Sequence, residues 1–183
     1  MPAPVRVTFT ASTSGPYQIE RMQPIVGDPL ARATHLSVHE GIWHSSEDAV
    51  WSLRGVSGHV RYVEQAEKQR LAVVTPALGR PEATLAALIP IRKTDAWWNL
   101  AQDERRAILE TRSQHIALGM RYLPSIARRL SHSRELGEPF DFITWFEYAP
   151  EHASAFEELL RALRATEEWS YVEREVDIRL RRT

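Results

Sequence analysis

Residues 140–148 alternate so strictly that Phe140, Phe142, Thr144, Phe146 and Tyr148 share one face of an extended chain. Such a strand buries one side and needs a partner layer. The sequence supplies one at once: Pro150-Glu151 opens a helix running to about Thr166, with Ala155, Phe156, Leu159, Leu160 and Leu163 along one apolar stripe. Val172, Val176, Ile178 and Leu180 then form a last strand. Upstream, the apolar run Ala83–Ile91, ending at Pro90, reads as a buried strand, and residues 95–120 are helix formers in one or two pieces, closed by Pro124. Ser125–Ser133 alternates with Ile126, Arg128 and Leu130 on one face, and Gly137-Glu138-Pro139 marks a turn. The order over 83–181 is strand, helix, strand, strand, helix, strand. It predicts an α+β fold of ferredoxin-like plan, an antiparallel sheet with helices on one face.

The first half is a shortened version of that plan without a visible sequence repeat. Val5–Thr10 and Tyr17–Val26 read as strands, the second weaker; Leu30–Glu47 is irregular and reads as loop with room for a helical turn. Val50–Val63 is extended and interrupted near Gly55 and Gly58. Residues 64–72 are helix-tolerant, and Pro76, Gly79 and Pro81 end them. The expectation is a single domain over 1–183, with a short N-terminal half (1–82) and a C-terminal half (83–183).

Composition narrows the function classes. A net charge of −1, with acids interspersed among pairs such as Arg105-Arg106 and Arg128-Arg129, leaves no footprint for nucleic acid or an anionic membrane. The absence of cysteine removes disulfides, thiolate zinc sites, iron–sulfur clusters and covalent c-type haem attachment. Met1–Gly15 lacks the charged-then-apolar pattern of a secretory signal, and no run reaches membrane-spanning length, so the expected location is cytoplasmic.

Two residues sit badly in a bland core. Alternation places Arg128 between Ile126 and Leu130, on the face that should be buried. It either meets an anion or wet cavity, or lies on an edge strand and snorkels to solvent. His115 lies on a helix near Ile108, Leu118 and Tyr122; it is a metal ligand or a structural histidine. His35 and His39 are four apart, but no glutamate sits between two such histidines, and His59, His132 and His152 show no ligand spacing. Lys93, Trp97 and Trp98 combine a cation with aromatic surface just after a strand, suited either to a flat carboxylate-bearing cofactor or to a packed helix start. No glycine-rich phosphate loop or nucleophile elbow is present.

These segments together resemble the chlorite dismutase family. The block from His115 through Arg128 to Ser133, the run Asp141-Phe-Ile-Thr-Trp-Phe-Glu147, Leu53-Arg-Gly-Val56, Arg61-Tyr-Val63 and Ile89-Pro-Ile-Arg-Lys93 with Trp97-Trp98 carry the resemblance. It implies a haem b whose iron is held by His115 and a carboxylate on the His115 ring, with Glu168 the better match by spacing and Glu167 the fallback. It implies Arg128 as the catalytic arginine across the haem, and Thr144 and Phe146 in the wall on that side. It also implies Lys93, Trp97, Trp98, Tyr62, Arg61 and Val63 around the haem edge and propionates. The implied reaction is chlorite to chloride and dioxygen through a ferryl oxygen and transient hypochlorite. The chain is short at its N-terminal side, which implies a homodimer. The tryptophan that longer members carry after the glutamate has no clear counterpart, because Trp169 follows too closely. Rivals are a coproheme decarboxylase of haem synthesis, against which Arg128 argues, a haem-binding or sensing module without turnover, and a cofactor-free ferredoxin-like dimer.

Overall fold

The computed structural model describes residues 4–58 and 62–183. Eight strands close into one antiparallel barrel: β1 (Val5–Ser12), β2 (Tyr17–Val26), β3 (His35–Gly41), β4 (Trp51–Ser57), β5 (Leu85–Lys93), β6 (Ile126–His132), β7 (Phe142–Tyr148) and β8 (Val172–Arg182). Around the barrel the order is β1-β3-β2-β8-β5-β7-β6-β4. The C-terminal strands therefore lie as β8-β5-β7-β6 and the N-terminal ones as β4-β1-β3-β2, the same permutation in each half. Closure of the sheet, which the strand-by-strand reading did not foresee, removes free edges.

Strand alternation sorts side chains to the two faces. Val7, Phe9, Leu36, Leu53, Leu88, Ile143, Trp145, Val176, Ile178 and Leu180 fill one cluster among the strands. The intervening residues Ala87, Ile89, Ile126, Phe146 and Tyr148 form a second cluster with Phe156, Leu159, Leu160 and Leu163 of helix α5, Ala153–Arg164 in chain order after the four helices below. The strands of the C-terminal half are thus buried on both faces.

Helix α1 (Gln65–Val74) agrees with the expected helix after residue 64. The guanidinium of Arg106 ties it down, donating to both oxygens of Glu67 at 2.8 Å and to the Tyr62 carbonyl. The stretch 95–120 is more broken than its helix formers suggest. It comprises α2 (Asp95–Asn99), α3 (Gln102–Arg106), a π-helical turn (Ala107–Arg112) and α4 (His115–Met120). Gln114 sits between the last two with φ of 52°, in the left-handed region where a non-glycine residue is strained. The expectation of loop over Leu30–Glu47 also needs correction. Within it β3 pairs along its length with β1, although only Leu36 and Val38 give it apolar character. Backbone pairing in the closed barrel supplies what the side-chain pattern lacks.

Candidate functional site

Between the outer face of β5, β6 and β7 and the helical layer lies a cavity of about 350 Å³. Its walls are mostly apolar: Ile89 and Ile91 from β5, Phe142, Thr144 and Phe146 from β7, Leu159, Leu160 and Leu163 from α5. Among the basic groups lining it, His115 at the start of α4 and Arg128 from β6 come from different walls.

The His115 end is built as a hydrogen-bonded chain. Its Nδ1 lies 2.5 Å from Oε2 of Glu168, while Oε1 of the same carboxylate accepts from Lys93 Nζ at 2.8 Å. Glu168 and Lys93 are each 2% exposed, so the pair is sealed from solvent. Burial would raise the Glu168 carboxyl, but the His115 ring and the Lys93 ammonium outweigh it and pull it down to about 2. Burial likewise lowers the Lys93 ammonium, and Glu168 opposes that shift. An ionised Glu168 accepts the proton on Nδ1, which leaves the lone pair on Nε2 as the available ligand atom.

Further contacts hold this chain in place. Ser113 Oγ accepts from the Glu168 backbone N–H at 3.0 Å, and the Glu110 carboxylate accepts from the N–H groups of Ile116 and Ala117 at 2.8 and 3.3 Å. Glu110 thereby caps the first turn of α4, as a negative charge at a helix start should. The Trp169 ring lies nearly parallel to His115, with centroids 6.4 Å apart and planes at 21°, and its Nε1–H donates to Glu175 at 2.7 Å.

Arg128 stands in contrast. Among the described residues no carboxylate pairs with it and no acceptor takes a hydrogen bond from it. Burial without a counter-charge lowers its guanidinium from the ordinary arginine value. A guanidinium in a mostly apolar cavity favours an anionic partner. Arg128 reaches the cavity because the alternation Ile126, Arg128, Leu130 carries that face of β6 out of the core, from a 2% exposed Ile126 to a 39% exposed Leu130.

At the cavity wall, Tyr62 and Trp97 meet edge to face with centroids 5.9 Å apart. Tyr62 Oη and Trp97 Nε1 are both buried without a hydrogen-bond partner among the described residues. Val63 also lines the cavity; Arg61 lies outside the described residues. Trp98 does not face the cavity: its Nε1–H donates to Asp141 at 3.1 Å, and the Arg134 guanidinium sits 4.1 Å over its ring. Lys93 lines the cavity as well, with its ammonium engaged by Glu168. Of the two candidate glutamates, Glu168 meets His115, whereas Glu167 pairs with Arg112 at 2.8 Å. His132, given no role from its spacing, lines the cavity two positions beyond Leu130. Extending the alternation of β6 by one step would have found it.

Comparison with known proteins follows the same lines. The family model described as chlorite dismutase matches residues 34–182. A chlorite dismutase from Ideonella dechloratans is 30% identical over 128 residues, covering 68% of this chain and 42% of that protein. The chain thus spans less than half the length of that curated relative. The crystal structure of a dimeric chlorite dismutase from Nitrobacter winogradskyi is 58% identical, with a TM-score of 0.90 over 97% of this chain and 99% of that one. A mutant chlorite dismutase from Candidatus Nitrospira defluvii, 21% identical, shares the fold with a TM-score of 0.67 over 96% of this chain and 91% of that one.

Proposed function

The chain belongs to the chlorite dismutase family, and from that premise we propose that it converts chlorite to chloride and dioxygen on a haem b bound between His115 and Arg128. The observation that carries the reading is the pairing in one mostly apolar cavity of an imidazole fixed by a buried carboxylate with a guanidinium that has no partner among the described residues.

The residues present fit a haem. No cluster of three or more His, Cys, Asp or Glu among the described residues could cage a bare metal ion, so an iron on His115 must bring its other ligands with it, as a porphyrin does. The cavity walls match a flat apolar ring. The unpartnered donors Tyr62 Oη and Trp97 Nε1 are the groups that propionate carboxylates would satisfy. His115 would hold the iron through Nε2. Haem iron, when bound, supplies the redox chemistry that breaks the Cl–O bond of chlorite and allows the O–O bond to form.

The protein's own part is electrostatic. Arg128 attracts the chlorite anion into a cavity of low polarity and keeps the transient hypochlorite from escaping before the oxygen atoms join. A guanidinium suits this because it is the side-chain cation that holds its proton most tightly. Thr144 and Phe146 wall the same space. Glu168, held by Lys93 and Ser113, keeps the His115 ring in one tautomer and makes it a stronger electron donor to the metal. We further read the equivalent strand orders of the two halves as two ferredoxin-like units in one domain, acting as a cytoplasmic homodimer. Among the described residues no helix is long and apolar enough to cross a membrane.

Arg128→Ala tests the role of the guanidinium. The variant is expected to bind haem as the parent does. It should release trappable hypochlorite and turn over roughly tenfold less chlorite before bleaching, the equivalent of losing ~1.4 kcal/mol of retention. Unchanged bleaching with a full turnover number would contradict the assignment.

A further inference from the structure

The guanidinium of Arg128 rests against a residue that has no side chain. A Cβ on Gly119 would lie 2.9 Å from Arg128 Nη1, 3.3 Å from Cζ and 3.5 Å from Nη2, so Nη1 stands too close for an alanine methyl, with Cζ tight beside it. Gly119 is buried within α4, four residues after His115, and residues so spaced share a helix face. Its φ is not positive, so no left-handed turn requires a glycine here. Glycine within a helix weakens it relative to alanine. The residue therefore has a local cost and no local backbone reason, and the three nearest atoms to its missing Cβ all belong to the Arg128 guanidinium.

We infer that Gly119 is a positioning residue for Arg128: lacking a side chain, it seats the guanidinium against α4, one turn from His115. The short helix α4 then sets both working groups of the cavity, His115 by carrying it and Arg128 by receiving it. A methyl at position 119 meets the far end of a flexible side chain, which can swing away, so the expected effect is displacement of the cation rather than collapse of the helix. The inference rests on the proposed role of Arg128 in holding anions.

The test uses four proteins: the parent, Gly119→Ala, Arg128→Ala and the double variant. Each is read by fluoride titration of the haem-loaded ferric protein, by trapped hypochlorite during chlorite turnover, and by the thermal midpoint of the haem-free protein. Gly119→Ala should shift fluoride affinity at least about threefold toward the Arg128→Ala value and raise hypochlorite release in the same direction. In the Arg128→Ala background the same substitution should change neither. Parent-like fluoride affinity and hypochlorite release in Gly119→Ala, beside a clear change in Arg128→Ala, overturns the inference. A Gly119→Ala effect that persists without the guanidinium also overturns it. If Arg128→Ala itself matches the parent in both readouts, the role of Arg128 fails first, and the seat has no function to serve. Should Gly119→Ala fold poorly, a thermal midpoint recovered in the double variant supports the contact, and no recovery refutes it.

Discussion

His115→Ala is expected to lose haem: titration with ferric haem should give no saturating Soret band, with affinity reduced more than about 100-fold. Losing an outer partner of a metal ligand already costs roughly 10–100-fold, and this variant removes the ligand itself. A second imidazole in the cavity makes the prediction sharp. His132 also lines the wall, and if it held the iron, His115→Ala would retain the Soret band and His132→Ala would lose it. The case for His115 is its second partner. Glu168 engages Nδ1 and so determines that Nε2 is the bare nitrogen. His132 packs edge-on against Phe142. Free imidazole added to a His115→Gly variant should restore the band by filling the vacated place.

Removing Glu168 is the larger threat to the fold. In Glu168→Leu the Lys93 ammonium, 2% exposed in the parent, loses its paired carboxylate and keeps only the Coulombic support of Asp141 and Glu175; breaking such a buried pair costs about 3–5 kcal/mol. The aromatic rings near the ammonium, Trp97 at 4.4 Å and Trp169 at 5.6 Å, soften this penalty without neutralising a charge. Denaturation of the haem-free protein measures the loss. Replacing both partners by apolar residues, Glu168→Leu with Lys93→Met, should recover most of it, because desolvation and attraction nearly cancel for an intact buried pair. The double variant should still load haem poorly, since its His115 ring has no partner to fix the tautomer. If the single variant loses less than about 1 kcal/mol, the ion pair is not the element holding this end of the cavity.

The C-terminal half was readable from sequence because its signals are strong and local. The alternation around Phe146, the apolar stripe of α5 and the closing strand near Ile178 all describe surfaces that must be buried, and the structure buries them. What the sequence concealed depends on pairing at a distance. Strand β3 has too few apolar residues to announce itself and exists because β1 lies beside it. Closure of the barrel through β2 and β8, and through β4 and β6, joins strands far apart in the chain.

The site shows the same division. Arg128 stood out because an inward charge violates the strand pattern, and a violation of local rules is where function is expected. His115 stood out less sharply: a histidine on a helix is a metal ligand or a structural residue, and only the resemblance chose between the two. Glu167 and Glu168 are adjacent on one short helical turn; spacing favoured Glu168, and the contacts of Glu168 with Ser113 and Lys93 show how it is held. The resemblance put Lys93 near the haem edge, and the sequence does not reveal that its ammonium engages Glu168. Trp97 and Trp98 point to different surroundings because successive residues in α2 project about 100° apart.

The central claim is that this cavity, loaded with haem, turns chlorite into chloride and dioxygen. An oxygen electrode reports on it directly: haem-loaded protein and a measured dose of chlorite, with chloride determined in the same sample. The account predicts prompt evolution of dioxygen, with one dioxygen and one chloride formed per chlorite consumed. Chlorite left intact, or chloride formed without dioxygen, by protein that carries a full complement of haem on His115 would contradict it.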